Sequence, residues 1–177
     1  MNVILPKVTI RPLTTADVPS MARHLDDRAL WLCLSDRIPH PYLEEHGIAF
    51  LKYVAQEAPA TTFGLEVDGE VAGTIAAFLQ NDVERGTAEI GYWLGRAHWG
   101  KGIGTQAVAA FVAHCFQTYA LRRLYARCFS HNVASIRVLE KAGFVREGVM
   151  RDAIIKDDVV FDQVVLGMTR ADFQTRA

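Results

Sequence analysis

The stretch Glu89–Ala107, EIGYWLGRAHWGKGIGTQA, decides how the rest of the chain is read. It opens on apolar and aromatic residues in strand spacing, passes four glycines (Gly95, Gly100, Gly102 and Gly104), and ends where a helical stripe begins. Glycines let a backbone turn sharply and approach a ligand closely, and free N–H groups at a helix N-terminus attract anions. A phosphate-bearing ligand is the expectation. The plain alternative is a glycine-rich connector with no ligand.

Three phosphate ligands compete for this loop. Gly95 to Lys101 follows most of GxxxxGK[ST], but Gly102 stands where a hydroxyl should hold Mg²⁺. Gly102, Gly104 and Ala107 satisfy GxGxxG/A, yet the next strand ends in Arg127, Cys128 and Phe129, without the acidic residue a dinucleotide's ribose needs. Both readings lose a required group. The third reading rests on a family resemblance.

Outward from the loop, apolar residues at Ala107, Phe111, Cys115 and Tyr119 mark a helix over Gly104–Tyr119. A strand follows at Leu124–Phe129, then a short helix at Val133–Ala142. Asn132 is placed to cap that helix, and Gly143 to close it in the left-handed conformation. Two strands, about Phe144–Met150 and Phe161–Met168, end the chain. Upstream, Val8–Arg11 reads as a strand, and Thr14 or Thr15 as the cap of a helix reaching Leu25. Asp26–Pro41 is irregular, and Tyr42–Glu57 is an amphipathic helix. Strands Thr62–Val67 and Glu70–Leu79 flank Asp68-Gly69, a dipeptide suited to a type I′ hairpin turn. A polar loop then leads to the strand Thr87–Leu94. An antiparallel meander followed by a strand–helix–strand–helix unit predicts an α/β (α+β) domain over 1–177, with helices on both faces of a mixed sheet.

Composition narrows the function. Lys plus Arg (19) nearly balance Asp plus Glu (20), so the chain lacks the overall basic excess of a nucleic-acid binder. Arg122 and Arg123 read as a solvated helix exit. No apolar run is long enough to span a bilayer, and MNVILPKVTIRP lacks the pattern of a secretory leader. Three cysteines without CxxC spacing argue against a disulfide framework or zinc site and for a reducing cytoplasm. The six histidines are scattered and form no HExxH, so no metal is expected.

The loop resembles the coenzyme-A loop of the GNAT acetyltransferases, usually written [QR]xxGxG/A. Gly102-Ile103-Gly104 supplies the GxG, Gly100 and Lys101 intervene, and Trp99 replaces the usual Gln or Arg. WGKGIGT is similar to the branch that includes the Rim-type N-terminal acetyltransferases of ribosomal proteins. Asn132–Phe144, NVASIRVLEKAGF, resembles the family's NxxSxxxxEKxGF, and is also a well-capped helix packed on a sheet. The resemblance implies the GNAT-like acyl-CoA N-acyltransferase fold, with a mostly antiparallel sheet of six to seven strands. It implies acetyl-CoA as co-substrate and direct transfer to a primary amine, a protein N-terminus or a small molecule, in a ternary complex. Homodimers are common in the family.

Acetyl transfer needs a proton acceptor for the amine, donors for the oxyanion, and a hydrogen bond or proton for the departing thiolate. Glu89, on the strand entering the loop, is the expected acceptor; an ordinary hydrogen-bonded glutamate is the alternative. Strand alternation puts it on one face with Thr87, Gly91 and Trp93. His131 is the secondary candidate. The resemblance assigns the thioester to backbone groups of Trp93 and Leu94. It assigns the pyrophosphate to Trp99, Gly100, Lys101, Gly102, Ile103, Gly104 and Thr105, with Asn132 as a further coenzyme contact or a cap. Many relatives carry a tyrosine for the thiolate where this chain has Leu139; the Rim-like substitute is Ser135. Cys128 has no evident base and reads as a small buried hydrophobe. Trp31, Tyr42, Glu44 and Glu45 are candidates to receive a cationic acceptor. A coenzyme-binding or regulatory domain with weak turnover is the alternative function.

Overall fold

The computed structural model describes residues 1–175, and the last two residues of the expected domain lie outside the described residues. They group into two compact units, Met1–Ala76 with Tyr92–Ala107, and Ala77–Gly91 with the chain from Val108 onward. Strands β1 (Val3–Ile4), β2 (Thr9–Arg11), β3 (Thr62–Val67), β4 (Glu70–Leu79), β5 (Thr87–Leu94), β6 (Arg123–Phe129), β7 (Val145–Lys156) and β8 (Val159–Thr169) form an eight-stranded sheet. Its order is β1-β2-β3-β4-β5-β6-β8-β7. The expectation of six to seven strands falls short at β1, whose two residues are too few to show a period. The helices are α1 (Val18–Leu25), α2 (Arg28–Trp31), α3 (Glu44–Val54), α4 (Ile103–Thr118), α5 (Val133–Ala142) and α6 (Arg170–Gln174).

In the first unit, β1 through β4 run antiparallel in sequence order. The β3–β4 turn has Asp68 at φ 52° and Gly69 at φ 85°, the two positive values a type I′ turn requires. On β4, a Cβ at Gly73 would stand 2.3 Å from the carbonyl oxygen of Trp93 on β5, so a side chain is excluded there. The core of this unit gathers Met21, Leu25, Leu30, Tyr42, Val71 and Trp93, with Leu13, Leu34, Ile38 and Phe50 packed against it. Each large apolar side chain so buried contributes about 1.5–3 kcal/mol.

Two boundaries differ from expectation here. The helix expected over Tyr42–Glu57 is α3, Glu44–Val54. Tyr42 drops out of it to enter the core, and Leu43 becomes the N-cap, its N–H donating to His46 Nδ1 at 3.0 Å. Within the stretch expected to be irregular, Asp27 caps α2 by accepting from the amides of Ala29 and Leu30.

In the second unit, β5 and β6 pair in parallel from Thr87↔Arg123 to Glu89↔Tyr125, while β6 continues to Phe129 along antiparallel β8. Phe111, Val112, Cys115 and Phe116 of α4 are buried, as are Ile136 and Leu139 of α5. Asn132 caps α5 through its side-chain oxygen, which accepts from the Ser135 amide at 3.1 Å. Gly143 closes the helix at φ 105°, and the Phe144 amide donates back to the Leu139 carbonyl at 3.0 Å. Strand β7 runs well beyond its expected end at Met150, β8 begins two residues before Phe161, and the two meet at Asp157-Asp158, both at positive φ. Nearly all of β7 is exposed, so no apolar alternation signals its length. Arg123 is no helix exit: it begins β6 and its guanidinium pairs with Glu147.

Candidate functional site

In the first unit, β5 ends at Leu94 and a 3₁₀ turn, Arg96–His98, leads into the glycine loop. Gly100 and Gly102 adopt φ +72° and +79°, the left-handed region that disfavours L side chains. The first α-helical bond of α4 runs from the Gln106 amide to the Gly102 carbonyl at 3.2 Å. The amides of Ile103, Gly104 and Thr105 therefore precede the helical ladder, at the positive end of a 16-residue dipole. Gly100, Lys101 and Gly102 are exposed, whereas Ile103 and Gly104 are buried. This is the geometry of an anion cradle.

Two side chains fix the loop. The Trp99 indole Nε1 donates to the Leu94 carbonyl at 2.6 Å, tying the loop back to the end of β5. That gives the residue in the Gln/Arg position a structural task, and it engages one backbone group expected at the thioester. Trp93 itself is buried in the core of its unit. The Lys7 ammonium donates to the Lys101 carbonyl at 2.7 Å and lies 3.7 Å from a Cβ built on Gly102. Sequence reading missed Lys7, because nothing in a lysine between two short strands points to a loop so distant along the chain.

In the second unit, Glu89 stands on the last rung of the parallel β5–β6 ladder, opposite Tyr125. Its two oxygens accept from Arg127 Nε at 2.9 Å and Nη2 at 2.7 Å, a bidentate pair. Glu89 raises the Arg127 pKa, mainly through this hydrogen bond. Burial, followed by the Glu89 charge, raises that of the Tyr125 phenol. Tyr125 and Arg127 share a face of β6 by strand alternation, a partnership that a sequence could show only once the strand register is known. Alternation on β5 holds from Thr87 to Gly91, where Ala88 and Ile90 are buried between half-exposed neighbours.

Asn132 and Ser135 are brought together by the α5 cap. Ser135 Oγ also lies 3.4 Å from Cys128 Sγ. Burial raises the pKa of the Cys128 thiol, with the Ser135 contact opposing it, so the cysteine stays protonated near neutrality. His131 packs against Phe161, ring centroids 4.3 Å apart, and Phe129 at 5.7 Å. Leu139, at the usual tyrosine position, is fully buried.

Of the acceptor candidates, all in the first unit, Tyr42 is buried and Trp31 donates its indole N–H to the Ile38 carbonyl at 3.0 Å. Glu44 and Glu45 remain exposed at the start of α3. Among the described residues, no helix is long and apolar enough to cross a membrane.

Comparison with known proteins agrees with the loop and helix motifs. Residues 7–145 match the family model described as Acetyltransferase (GNAT) domain. The uncharacterized N-acetyltransferase p20 of Bacillus licheniformis is 38% identical over 103 residues, 57% of each chain. The ribosomal-protein-serine acetyltransferase of Escherichia coli (strain K12) is 38% identical over 93 residues, 52% of this chain and 51% of its own. The matched segment thus spans little more than half the length of these curated relatives. Among solved structures, Mycobacterium smegmatis RimJ in complex with CoA-disulfide superposes with a TM-score of 0.78 at 25% identity, covering 93% of this chain and 83% of that one. With the family model matching most of its length, the chain belongs to the GNAT acetyltransferase family.

Proposed function

We propose that the chain transfers the acetyl group of acetyl-CoA to a primary amine by direct attack in a ternary complex. The observation that carries this reading is the left-handed Gly100 and Gly102 leading into the free first-turn amides of α4. A diphosphate accepts hydrogen bonds from such amides and leaves the dipole's positive end compensated. Lys7 and Lys101 add positive charge at the same loop. Trp93 and Leu94 lead into it as the end of β5, which is where the thioester is expected.

In the reaction, the amine lone pair attacks the thioester carbonyl, the tetrahedral intermediate collapses, and the C–S bond breaks. The amine's proton goes to Glu89, and the thiolate is met by a donor, for which Ser135 Oγ is the candidate. A carboxylate offers about four lone-pair positions, and Arg127 occupies two. The remaining positions serve an ordered water or the amine itself. Arg127 and Tyr125 act as positioning residues, holding the carboxylate in one orientation. No covalent enzyme intermediate is required, in keeping with a protonated Cys128.

The acceptor class we favour is a protein N-terminal amine, in keeping with a relative named as a ribosomal-protein-serine acetyltransferase, with a small-molecule amine as the other member of the class. The exposed Glu44 and Glu45 would attract either cation. The three free cysteines suit a reducing cytoplasm. A specific observation supports a second reading: both Glu89 oxygens already accept from Arg127, and Leu139 supplies no acid, as in a coenzyme-binding domain with weak turnover.

A panel of peptides with different N-termini, together with polyamines, incubated with acetyl-CoA and followed by free thiol release, separates the two. Catalysis predicts at least one responsive amine, with release sharply reduced in Glu89→Gln and Ser135→Ala. Tight acetyl-CoA binding without release from any amine would leave only the binding-domain reading.

A further inference from the structure

Three ionisable side chains from separate segments of the first unit converge outside the transfer chemistry. His24 sits in the last turn of α1, Glu70 begins β4, and His98 ends the 3₁₀ turn ahead of the glycine loop. One donor atom from each lies within 4.8 Å of the other two. His24 Nε2 is 2.9 Å from Glu70 Oε1, and the two imidazole rings meet edge to face at 5.6 Å.

The surroundings are those of a built site. The His24 side chain is 12% exposed and His98 is 9% exposed. His98 Nδ1 is buried with no hydrogen-bond partner, an orphan that folded proteins rarely leave without an ion or water to meet it. Gly95 leaves room for the His24 ring, since a Cβ there would stand 2.5 Å from His24 Nδ1. The second oxygen of Glu70 is held by Arg23, the kind of outer contact that orients a metal-binding carboxylate.

We propose that His24, Glu70 and His98 form a binding site for a divalent transition-metal ion, with Zn²⁺ the best match. Two imidazoles and a carboxylate are borderline donors of the kind zinc takes, and three protein ligands leave a fourth position for water. Metal–ligand bonds of about 2.0–2.2 Å place tetrahedral donors roughly 3.4 Å apart, so side-chain rotations of about an ångström close this cluster. Asp68 and Glu70 supply negative charge against Lys101. The three ligands are spread over three segments with no local spacing, which is why no metal motif is visible in the sequence. An ion there ties the end of α1 and the start of β4 to the turn that feeds the glycine loop.

Chelator-treated protein carrying Cys33→Ser, to remove the half-exposed thiol, is titrated with Zn²⁺ and with Co²⁺. The proposal expects one equivalent bound, visible cobalt bands of a tetrahedral site without thiolate charge transfer, and a rise in Tm. His24→Ala and His98→Gln should each lower zinc affinity by about 100-fold or more, beyond the 10–100-fold typical of an outer-contact change. Absence of stoichiometric binding, octahedral cobalt spectra, or zinc affinity unchanged in both His24→Ala and His98→Gln each overturns it. Should the variants fail to fold, the cobalt spectrum of the parent protein still decides.

Discussion

Replacing Gly102 tests the anion cradle through its backbone alone. The residue stands at φ +79°, and a Cβ there finds only Lys7 Nζ at 3.7 Å, an ordinary contact. Sterically, then, a side chain fits. Its cost is conformational: an L residue held in the left-handed region loses roughly 1–2 kcal/mol. The loop is exposed and can relax when free, so most of that loss appears on ligand binding rather than on folding. A loss of 1–2 kcal/mol corresponds to a factor of about 5–30 in an equilibrium constant. Asn tolerates this conformation better than Ala, and β-branched Val worst. Titration calorimetry with acetyl-CoA should therefore rank Kd as wild type < Gly102→Asn < Gly102→Ala < Gly102→Val, the last raised about 10–30-fold, with Tm nearly constant. If Gly102→Val binds acetyl-CoA as wild type does, the left-handed loop is not what holds the ligand.

Three further outcomes follow from single contacts. Asn132→Ala removes the α5 cap and should cost about 1 kcal/mol, a Tm drop of roughly 2–4 °C by calorimetry. Lys7→Ala should weaken acetyl-CoA binding about two- to five-fold at low salt and less at high salt, as an exposed charge near a diphosphate does; equal loss at all ionic strengths contradicts this. Asp17 is pushed upward by burial, but its bonds from Arg11 and Thr14 win and hold its pKa below 3.8. A depressed folded value means the unfolded chain binds the proton more readily, so this stability is present above about pH 3.8 and fades as pH falls below it. Acid titration of stability should lose that component in Asp17→Asn.

The motif-bearing half of the fold was legible because local signals agreed with the final packing. Strand β5 and helix α5 have the ends read from sequence, since period, cap and left-handed Gly143 act within a few residues. The β3–β4 hairpin was legible for the same reason, through Asp68-Gly69. What stayed hidden depends on tertiary placement. The buried Tyr42 shortens α3 for a core that no window of sequence contains. The exposed β7 has no burial pattern to display. The place of Glu89 on β5 is legible in the sequence, but its clamp by Arg127 requires the parallel register of β5 and β6. The His24–Glu70–His98 cluster required three separate segments to fold together.

On the proposed function, the glycine loop selects coenzyme A over the other phosphate ligands its glycines could serve. Thermal unfolding with acetyl-CoA, ATP-Mg²⁺ and NAD, each at matched concentration, tests it directly. Binding to the folded state raises stability by about 2.7 kcal/mol at a hundred times Kd. A clear Tm rise is expected with acetyl-CoA and none with NAD or ATP-Mg²⁺. A rise with either nucleotide and none with acetyl-CoA would contradict it.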